Sequence, residues 1–350
     1  MPKKRLIYIH VGLSSFVKKD IEILQETFEL SIHEFDLTHK KRLPFTLIKQ
    51  KVMLLRRLRK SDGVVVQFAG YQSYLPTRLA RLFNRKCMLI LGGTDTVSFP
   101  SLQYGSFNKK YLGYATRKSL ERASLLIPVS DTLIEYDYTY SDDDFPKQGY
   151  KFHAPSVKTP VQTVFNGYSS DKWFIGASKE PNSFITIAAD LGTRFGMKLK
   201  GIDLIIEIAE KLPACTFYIV GGNKLNVNLP SNVFPIGNMP HDQLPKFIAD
   251  KQFYLQLSMS EGFPNALCEG MLSGCVPIVS NVGAMPMIVG DTGHVLLRKN
   301  SELLLSLIEF AQKSYTPEDA QAPRKRIIAE YSLTRRTSEL TELITKHISL

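Results

Sequence analysis

Short apolar runs alternate with helical patterns along the first half of the chain. The apolar runs lie at 6–11, 63–68, 87–91 and 125–129, and the helical patterns between them lie at 18–27, 45–60, 76–83 and 111–123. A strand, a helix and a further strand in succession predict parallel pairing, because the chain must cross over before each new strand begins. We therefore expect an α/β domain with a doubly wound parallel sheet.

The second half of the chain repeats this alternation. Its strand candidates are 184–189, 216–220, 253–257 and 276–280, and its helix candidates are 202–211, 242–249, 265–273 and 301–312. Residues 136–156, between the halves, show no clear period and are typical of a loop. We expect two Rossmann-like domains, 1–165 and 166–330, and a helix at 331–350 that could pack back on the first domain. Ligands of such domains bind beyond the carboxyl ends of the strands, here in the cleft between the domains.

Composition excludes several other classes of protein. Hydrophobic residues make up 44% of the 350 residues and charged residues 22%, as in a globular protein. No apolar run approaches the roughly 18–20 residues of a membrane span. The apolar run after Arg5 stops at His10 and Gly12, sooner than the run in a secretory signal, so we expect a first strand in a cytoplasmic protein.

The residue types that bind metals are poorly placed for a metal site. Cys87, Cys215, Cys268 and Cys275 lack metal-ligand spacing and lie in apolar surroundings, which predicts buried thiols. The acidic run at 142–144 lies in a predicted loop and is expected to be solvated. We expect neither a metal nor a bound cofactor.

Positive charge is concentrated near the amino terminus. The chain has 44 Lys and Arg and 33 Asp and Glu, which gives a net charge of +11. The densest group of basic residues lies at 40–60. A helical projection of 44–60 separates apolar from basic residues: Leu47, Ile48, Val52, Leu54, Leu55 and Leu58 against Lys49, Arg56, Arg57 and Lys60. Two interpretations stay open: a helix packed on the sheet with a solvated basic face, or one that also contacts an anionic membrane surface. Nucleic acid is not an expected partner, because no nucleic-acid-binding motif accompanies the basic stretch.

The most informative segment is Ser260-Glu261-Gly262-Phe263-Pro264-Asn265-Ala266-Leu267-Cys268-Glu269-Gly270, which follows a predicted strand and opens a helix. A helix start presents free backbone N–H groups, here from Asn265 to Leu267, and these suit a diphosphate. Glu269 lies about one turn further on and could accept the hydroxyls of a ribose, whereas Glu261 precedes the helix and could accept those of a sugar. The alternative is that both are ordinary surface carboxylates.

This segment resembles the Glu–seven residues–Glu donor-site signature of family 4 glycosyltransferases, which are retaining enzymes of the GT-B fold. Other segments resemble the family in the same order. They are Asn166-Gly167, Lys200-Gly201, the strand at 217–222 that ends in glycine, the loop at 236–244 and the Arg-rich segment at 324–332. The resemblance is strong over about 160–340 and weak in the first half.

The resemblance implies a role for each matching residue. Glu269 would bind the donor ribose, and Glu261 would hold the donor sugar. Lys200 and Arg194, with Lys198 as an alternative to Arg194, would neutralise the diphosphate. The remaining donor-binding residues would be Gly262, Phe263, Pro264, Asn265, Ala266, Leu267, Asn238, Met239 and Gly221. Since a retaining transfer lets the leaving diphosphate take the proton of the acceptor, it needs no separate base.

Two positions depart from the family pattern. Met287 stands where the family usually has Glu, and Gly92 stands where it often has the His that contacts the donor sugar. These departures weaken any inference about the identity of the sugar. Acceptor-binding candidates follow the strands of the first domain: Gly12, Ser14, Tyr71, Tyr74 and Asp95. For the glycine and the tyrosines, turn formation and packing are the alternatives.

Together these features predict a retaining glycosyltransferase that uses a UDP- or GDP-linked sugar. Its acceptor would be a glycan or a lipid-linked saccharide at the inner face of the membrane, as in the synthesis of cell-surface polysaccharide. A nucleotide-sugar epimerase of the GT-B fold and a non-catalytic nucleotide-sugar-binding subunit remain as alternatives.

Overall fold

The computed structural model describes residues 2–189, 191–193, 195–221, 225 and 227–349. The chain divides into two compact units. The first comprises Met1–Asp137, Lys147–Gly167 and Leu333–Leu350, and the second comprises Tyr138–Pro146 and Tyr168–Ser332. The segment Tyr138–Pro146 thus belongs to the second unit, whereas the sequence analysis placed it in the first domain.

The first unit contains a parallel sheet of five strands in the order β2-β1-β3-β4-β5. The strands are β1 (Arg5–His10), β2 (Glu29–Glu34), β3 (Gly63–Gln67), β4 (Lys86–Leu91) and β5 (Leu125–Pro128), and the helices among them are α1 (Ser15–Thr27), α2 (Leu43–Arg57), α3 (Tyr71–Leu82) and α4 (Lys110–Arg122). A two-stranded ribbon of β6 (Tyr136–Asp137) and β7 (Lys147–Gln148) and a short helix α5 (Tyr150–His153) follow. The inner strands are almost fully buried, which explains why their sequences are continuous apolar runs. The prediction of a doubly wound parallel sheet is confirmed.

The edge strand β2 was not predicted. Its residues Glu29, Ser31, His33 and Glu34 alternate with apolar ones, and most of the strand is exposed or half-buried. An edge strand that is open to solvent can keep polar side chains, and β2 therefore leaves no apolar run in the sequence, unlike the buried edge strand β5.

Helix α3 begins at Tyr71, five positions before the predicted start at Pro76. The Ser73 hydroxyl accepts a hydrogen bond from the Gly70 N–H at 2.8 Å and fixes this earlier start. Pro76 has no N–H for the carbonyl of Gln72 four residues earlier. The fully buried Gln50 side chain of α2 donates to that carbonyl instead, at 2.8 Å. A contact with another helix therefore allows proline inside α3, and a local sequence pattern cannot reveal it.

Helix α2 packs against α3 and buries only part of the predicted apolar side, namely Leu54 and, directly after the helix, Leu58. Its fully buried side chains are Gln50 and Leu54. Three other residues of the predicted apolar side point outward, as does the neighbouring Phe45. The exposed fractions of Phe45, Ile48, Val52 and Leu55 are 73%, 60%, 41% and 44%. Sequence alone favoured the more apolar face as the buried one, but the Gln50–Gln72 hydrogen bond makes a polar residue part of the core-facing side.

The second unit contains a parallel sheet of six strands in the order β10-β9-β8-β11-β12-β13. The strands are β8 (Glu180–Ile187), β9 (Thr216–Val220), β10 (Val233–Gly237), β11 (Lys251–Gln256), β12 (Val276–Ser280) and β13 (His294–Leu296). The helices are α6 (Gly196–Lys200), α7 (Ile202–Ala209), α8 (Leu244–Ala249), α9 (Asn265–Leu272), α10 (Met285–Val289), α11 (Ser301–Ser314) and α12 (Gln321–Glu330). The four predicted strands are the inner ones, and the edge strands β10 and β13 were missed because they are short and largely exposed or half-buried.

The last helix, α13 (Leu333–Ser349), belongs to the first unit. Its Arg336 is 4% exposed and donates to both carboxylate oxygens of Asp20 in α1, each at 2.8 Å. The same guanidinium also donates to the carbonyls of Val164 and Phe165, at 3.1 and 2.8 Å. Arg336 thus joins three distant segments of the first unit. None of the described helices combines the length and apolar character that a membrane span requires.

Candidate functional site

The loop between β11 and α9 carries the Glu261 segment at the carboxyl end of the second sheet. Gly262, Phe263 and Pro264 are buried, whereas Asn265 and Ala266 are half-buried. Pro264 is the N-cap of α9, just before the first helical turn, and no side chain caps this helix start in the described chain. The N–H groups of the first turn therefore remain available to an anion, and the helix dipole adds a partial positive charge there.

The family resemblance implies catalytic roles for Glu261, Lys200 and Arg194 at the donor sugar and diphosphate, and the structure brings Lys200 and Glu261 together at this position. Lys200 Nζ lies 2.7 Å from Glu261 Oε1, and their side chains are 25% and 15% exposed. Gln256, at the end of β11, donates to the same carboxylate oxygen at 3.3 Å. The third predicted residue, Arg194, lies outside the described residues. The alternative cation, Lys198, pairs with Asp143 at 3.2 Å.

A tight approach between α6 and β11 brings Lys200 to Glu261. Gly201, directly after Lys200, has φ +72°, and a Cβ there would overlap the carbonyl oxygen of Leu257. The carbonyl of Leu199 accepts a hydrogen bond from the N–H of Met259 at 2.8 Å. Only glycine allows this approach, which explains the Lys-Gly step in the sequence.

Glu269 is a buried carboxylate on α9, with 8% of its side chain exposed. Its Oε1 lies 3.2 Å from Nε2 of His241, whose side chain is 54% exposed and whose ring meets Trp173 edge-on at 5.7 Å. His241 lies in the loop at 236–244, but its sequence carries no signal that points to a role for it. Its pairing with Glu269 joins that loop to α9.

Aromatic packing holds the loop before α9. The Phe263 ring stacks on Tyr168 at 6.2 Å and meets Tyr331 edge-on at 5.3 Å. The hydroxyl of Tyr168 donates to Oδ1 of Asn265 at 2.7 Å. At the other end of α9, Arg324 donates to the carbonyl of Leu272. Both ends of the helix are therefore fixed.

The remaining donor-site candidates lie at the carboxyl ends of β9 and β10. Gly221 follows β9 with φ +105°, and a Cβ there would overlap the Ala188 carbonyl after β8. Its N–H donates to the Gly237 carbonyl at 2.7 Å. Asn238 is exposed and Met239 is half-buried, directly after β10. Because the strands are parallel, these residues lie on the same edge of the sheet as Glu261.

Among the acceptor candidates, Gly12 and Ser14 lie between β1 and α1. Gly12 has φ +68°, and Ser14 is the exposed N-cap residue of α1. Tyr71 is the half-buried first residue of α3. Tyr74 packs against α4: the Arg122 guanidinium lies 5.1 Å from its ring centre and, mainly by a hydrogen bond, lowers the pKa of the Tyr74 hydroxyl.

Asp95 holds two loops of the first unit together. It is 3% exposed and accepts hydrogen bonds from the N–H groups of Ala69, Gly92 and Gly93 at 3.0, 3.1 and 2.9 Å. Burial raises the pKa of this carboxyl, and the backbone hydrogen bonds partly oppose that effect. The observed contacts of Asp95 are structural, and its contact with an acceptor stays a prediction.

The Phe68 ring fills the space beside Gly92. A Cβ at position 92 would overlap the edge of that ring, which itself packs on Phe16 at 5.6 Å. The chain therefore cannot place a side chain here, such as the His expected from the family resemblance, without moving Phe68. The described residues also contain no group of three His, Cys, Asp or Glu arranged to hold a metal ion.

The whole fold is similar to solved glycosyltransferases. Sucrose-phosphate synthase from Thermosynechococcus elongatus superposes with a TM-score of 0.76 at 14% identity, covering 99% of this chain and 100% of that one. Anabaena HepE, solved in complex with UDP and glucose, superposes with a TM-score of 0.71 at 12% identity, covering 98% and 100%. The fold and the site define an α/β protein of the GT-B class.

Residues 193–327 match the family model described as glycosyl transferases group 1. Two curated relatives are subunits of phosphatidylinositol N-acetylglucosaminyltransferase. The one from Arabidopsis thaliana is 23% identical over 156 residues, and the gpi3 protein from Schizosaccharomyces pombe is 25% identical over 142 residues. These alignments cover 39% and 37% of this chain, and they span only 34% and 30% of the two relatives.

Proposed function

We propose that the chain is a retaining glycosyltransferase that moves a sugar from a nucleotide diphosphate to a saccharide acceptor. The observation that carries this proposal is the contact between Lys200 and Glu261 beside the uncapped start of α9, within the matched family domain. The complex of HepE with UDP and glucose supports a nucleotide-linked donor.

In this proposal the donor diphosphate binds at the start of α9. The N–H groups of Asn265 and Ala266 and the positive end of the helix dipole face its oxygens. Lys200 supplies the full positive charge. Its bond with Glu261 positions the ammonium before the donor arrives, and binding transfers Lys200 to the phosphate. Glu261 is then free to accept hydrogen bonds from the donor sugar, while Gln256 keeps its carboxylate oriented.

Glu269 binds the ribose of the donor nucleotide. A carboxylate accepts two hydroxyls at once, and burial in α9 fixes its orientation. His241 contacts one carboxylate oxygen at 3.2 Å and acts as a positioning residue. Asn238 and Met239 lie after the neighbouring strand and would face the nucleotide base.

The transfer exchanges one bond at the anomeric carbon for another. The bond from this carbon to the diphosphate oxygen breaks, and a bond to the acceptor hydroxyl oxygen forms on the same face. The hydroxyl proton passes to the departing diphosphate oxygen, so atoms and charge balance without a separate base. The protein contributes orientation and stabilisation of the negative charge on the leaving group. This scheme assigns that stabilisation to Lys200 and the start of α9, with no metal.

The proposal extends to a lipid-linked acceptor because of the outer face of α2. Phe45, Ile48, Val52 and Leu55 recur at intervals of three and four residues and so form one exposed stripe, opposite the buried Gln50 and Leu54. Exposed cations flank this stripe: Lys49, Lys51 and Arg56. Apolar side chains between cations suit the boundary of an anionic bilayer, where the chains enter the lipid and the charges meet the head groups. We infer a peripheral protein on the inner face of a membrane, acting in polysaccharide synthesis.

A non-catalytic donor-binding subunit is the main alternative, and the blocked position at Gly92 favours it. Turnover distinguishes the two. We expect purified protein to cleave or transfer a nucleotide sugar, and Glu261→Gln and Lys200→Met each to lower kcat about 100-fold or more. The matched control Lys211→Met changes a lysine of the second unit that is 45% exposed and paired with Glu302, and it should leave kcat unchanged.

The donor is found first by screening thermal stability against nucleotide diphosphates and nucleotide sugars, since a ligand of the native state raises Tm. Nucleotide binding without turnover, in the presence of acceptor extracts, would establish the non-catalytic alternative. Turnover that is equal in wild type and in Glu261→Gln would refute the proposed site. Interconversion of the donor sugar without transfer would instead identify an epimerase.

A further inference from the structure

A second strongly charged site lies in the first unit, at the edge of the sheet where its strands begin. A cavity of about 480 Å³ opens at the amino ends of β4 and β5, next to the carboxyl ends of α3 and α4. Its charged lining consists of Arg81, Arg85, Lys86, Arg122 and Lys158 against the single acid Glu121.

The positive charge of this cavity exceeds what its surroundings neutralise. The carboxyl ends of two helices contribute about half a negative charge each. Glu121 adds one more, but Lys118 already binds it at 2.7 Å, and a hydrogen bond from that ammonium lowers the pKa of the Glu121 carboxyl. Ser156 donates to its other oxygen at 2.8 Å. Most of the charge on the five cations is therefore left for a ligand.

Two of the guanidiniums are held in place by contacts away from the cavity. Arg85 donates through Nη2 to the carbonyl of Arg59 at 3.1 Å, and Arg122 lies over the ring of Tyr74. Within the described part of the chain, Arg85 Nε and Arg122 Nη1 are buried and have no hydrogen-bond partner. Fixed guanidiniums with remaining donors are suited to a planar or tetrahedral oxyanion.

We propose that this cavity binds a phosphate monoester dianion. A dianion matches several converging cations better than a single negative charge does, and Arg binds phosphate oxygens in pairs. The volume lies in the range of small-molecule sites, so it accommodates the phosphate together with the group that carries it. A phosphate monoester occurs both in soluble phosphorylated metabolites and in the head group of phosphatidic acid.

The test measures binding of inorganic phosphate to the full chain by calorimetry and, separately, binding to vesicles. The vesicles contain phosphatidylcholine with either phosphatidic acid or phosphatidylserine at equal surface charge. The variant is Arg81→Gln with Lys158→Gln, because both side chains are exposed and their replacement leaves the core intact. Lys151→Gln with Lys172→Gln is the control, with the same change in charge at exposed positions outside the cavity. All proteins carry Lys200→Met, so that the proposed donor site contributes little.

We expect the double variant to bind phosphate about tenfold more weakly or worse, and the control to match its parent. Binding of inorganic phosphate identifies a soluble ligand. A preference for phosphatidic acid over phosphatidylserine that only the cavity variant loses identifies the lipid. The inference is overturned if the parent binds neither probe, or if the cavity variant and the control bind equally well.

Discussion

The ring of Phe68 occupies the space that any side chain at position 92 would need, so Gly92 and Phe68 must change together. We expect Gly92→Ala to lower the free energy of unfolding by about 1–3 kcal/mol, because the new methyl group displaces a packed ring. Urea unfolding measures this loss. Gly192→Ala is the matched control, since a Cβ at that glycine meets no atom of the described residues within 4 Å.

A second change tests whether the ring is the cause. Replacing Phe68 by Ala in the Gly92→Ala protein removes the overlap, so the double variant should be more stable than the sum of the two single effects predicts. Strict additivity would contradict this explanation.

The Asp20–Arg336 pair predicts a large effect from a single substitution in α13. Arg336→Met leaves a carboxylate that is 1% exposed without its counter-ion, and breaking a buried pair in this way costs about 3–5 kcal/mol. The adjacent Arg335, whose side chain is 44% exposed and pairs with Glu339, provides the control. Arg335→Met should change stability by less than about 1 kcal/mol. Similar unfolding midpoints for the two variants would show that the buried pair is not a major source of stability.

The outer stripe of α2 predicts binding to anionic vesicles. Replacing Phe45 and Ile48 by Ser removes most of the apolar surface that would enter the lipid, and we expect co-sedimentation with anionic vesicles to fall about tenfold or more. Leu297 and Phe310 of the second unit are also exposed, at 63% and 61%, so their replacement by Ser is the control. Binding that persists after the α2 substitutions but disappears in high salt would assign the attraction to charge alone.

His153 predicts a dependence of stability on pH. Burial lowers the pKa of its imidazole from about 6.5 to about 4, and the ring stacks on Phe107 at 5.3 Å. Because the folded pKa lies below the unfolded value, the folded state resists protonation. Its contribution is complete above about pH 6.5 and is lost as the pH falls toward 4.

Replacing His153 by Gln should therefore flatten the decline of the unfolding free energy between pH 6.5 and 4. His39→Gln is the control, since this histidine is exposed. An unchanged slope in the His153 variant would indicate that other groups cause the acid sensitivity.

Sequence reasoning predicted the inner strands and the order of the elements because these depend on local patterns. A strand buried on both faces must be a continuous apolar run, and such a run is visible without any knowledge of its neighbours. The edge strands β2, β10 and β13 were missed because they are largely exposed or half-buried and free to be polar, whereas the edge strand β5 is buried and was predicted. The Glu261–Glu269 segment was equally visible, because the strand, loop and helix start that position it are consecutive in the chain.

The other features that escaped prediction depend on contacts between distant residues. Gln50 supports Pro76 from another helix, and this contact allows proline inside α3 and turns a polar residue of α2 toward the core. The sequence around Gly92 and the sequence around Phe68 likewise do not show that the Phe68 ring fills the space beside Gly92. His241 reaches Glu269 across 28 positions, so its part in the site becomes apparent only when the sheet places both loops at one edge.

The position of α13 in the first unit has a consequence for the order in which a newly made chain can fold. Asp20 leaves the ribosome early, but Arg336 follows only after the whole second unit has been synthesised. At about 5–20 residues per second, that interval is on the order of ten seconds or longer. The second unit can complete its fold during this interval, while the first must wait with an unpaired carboxylate inside it. The first unit is therefore completed after the second, when α13 is synthesised and packs onto it.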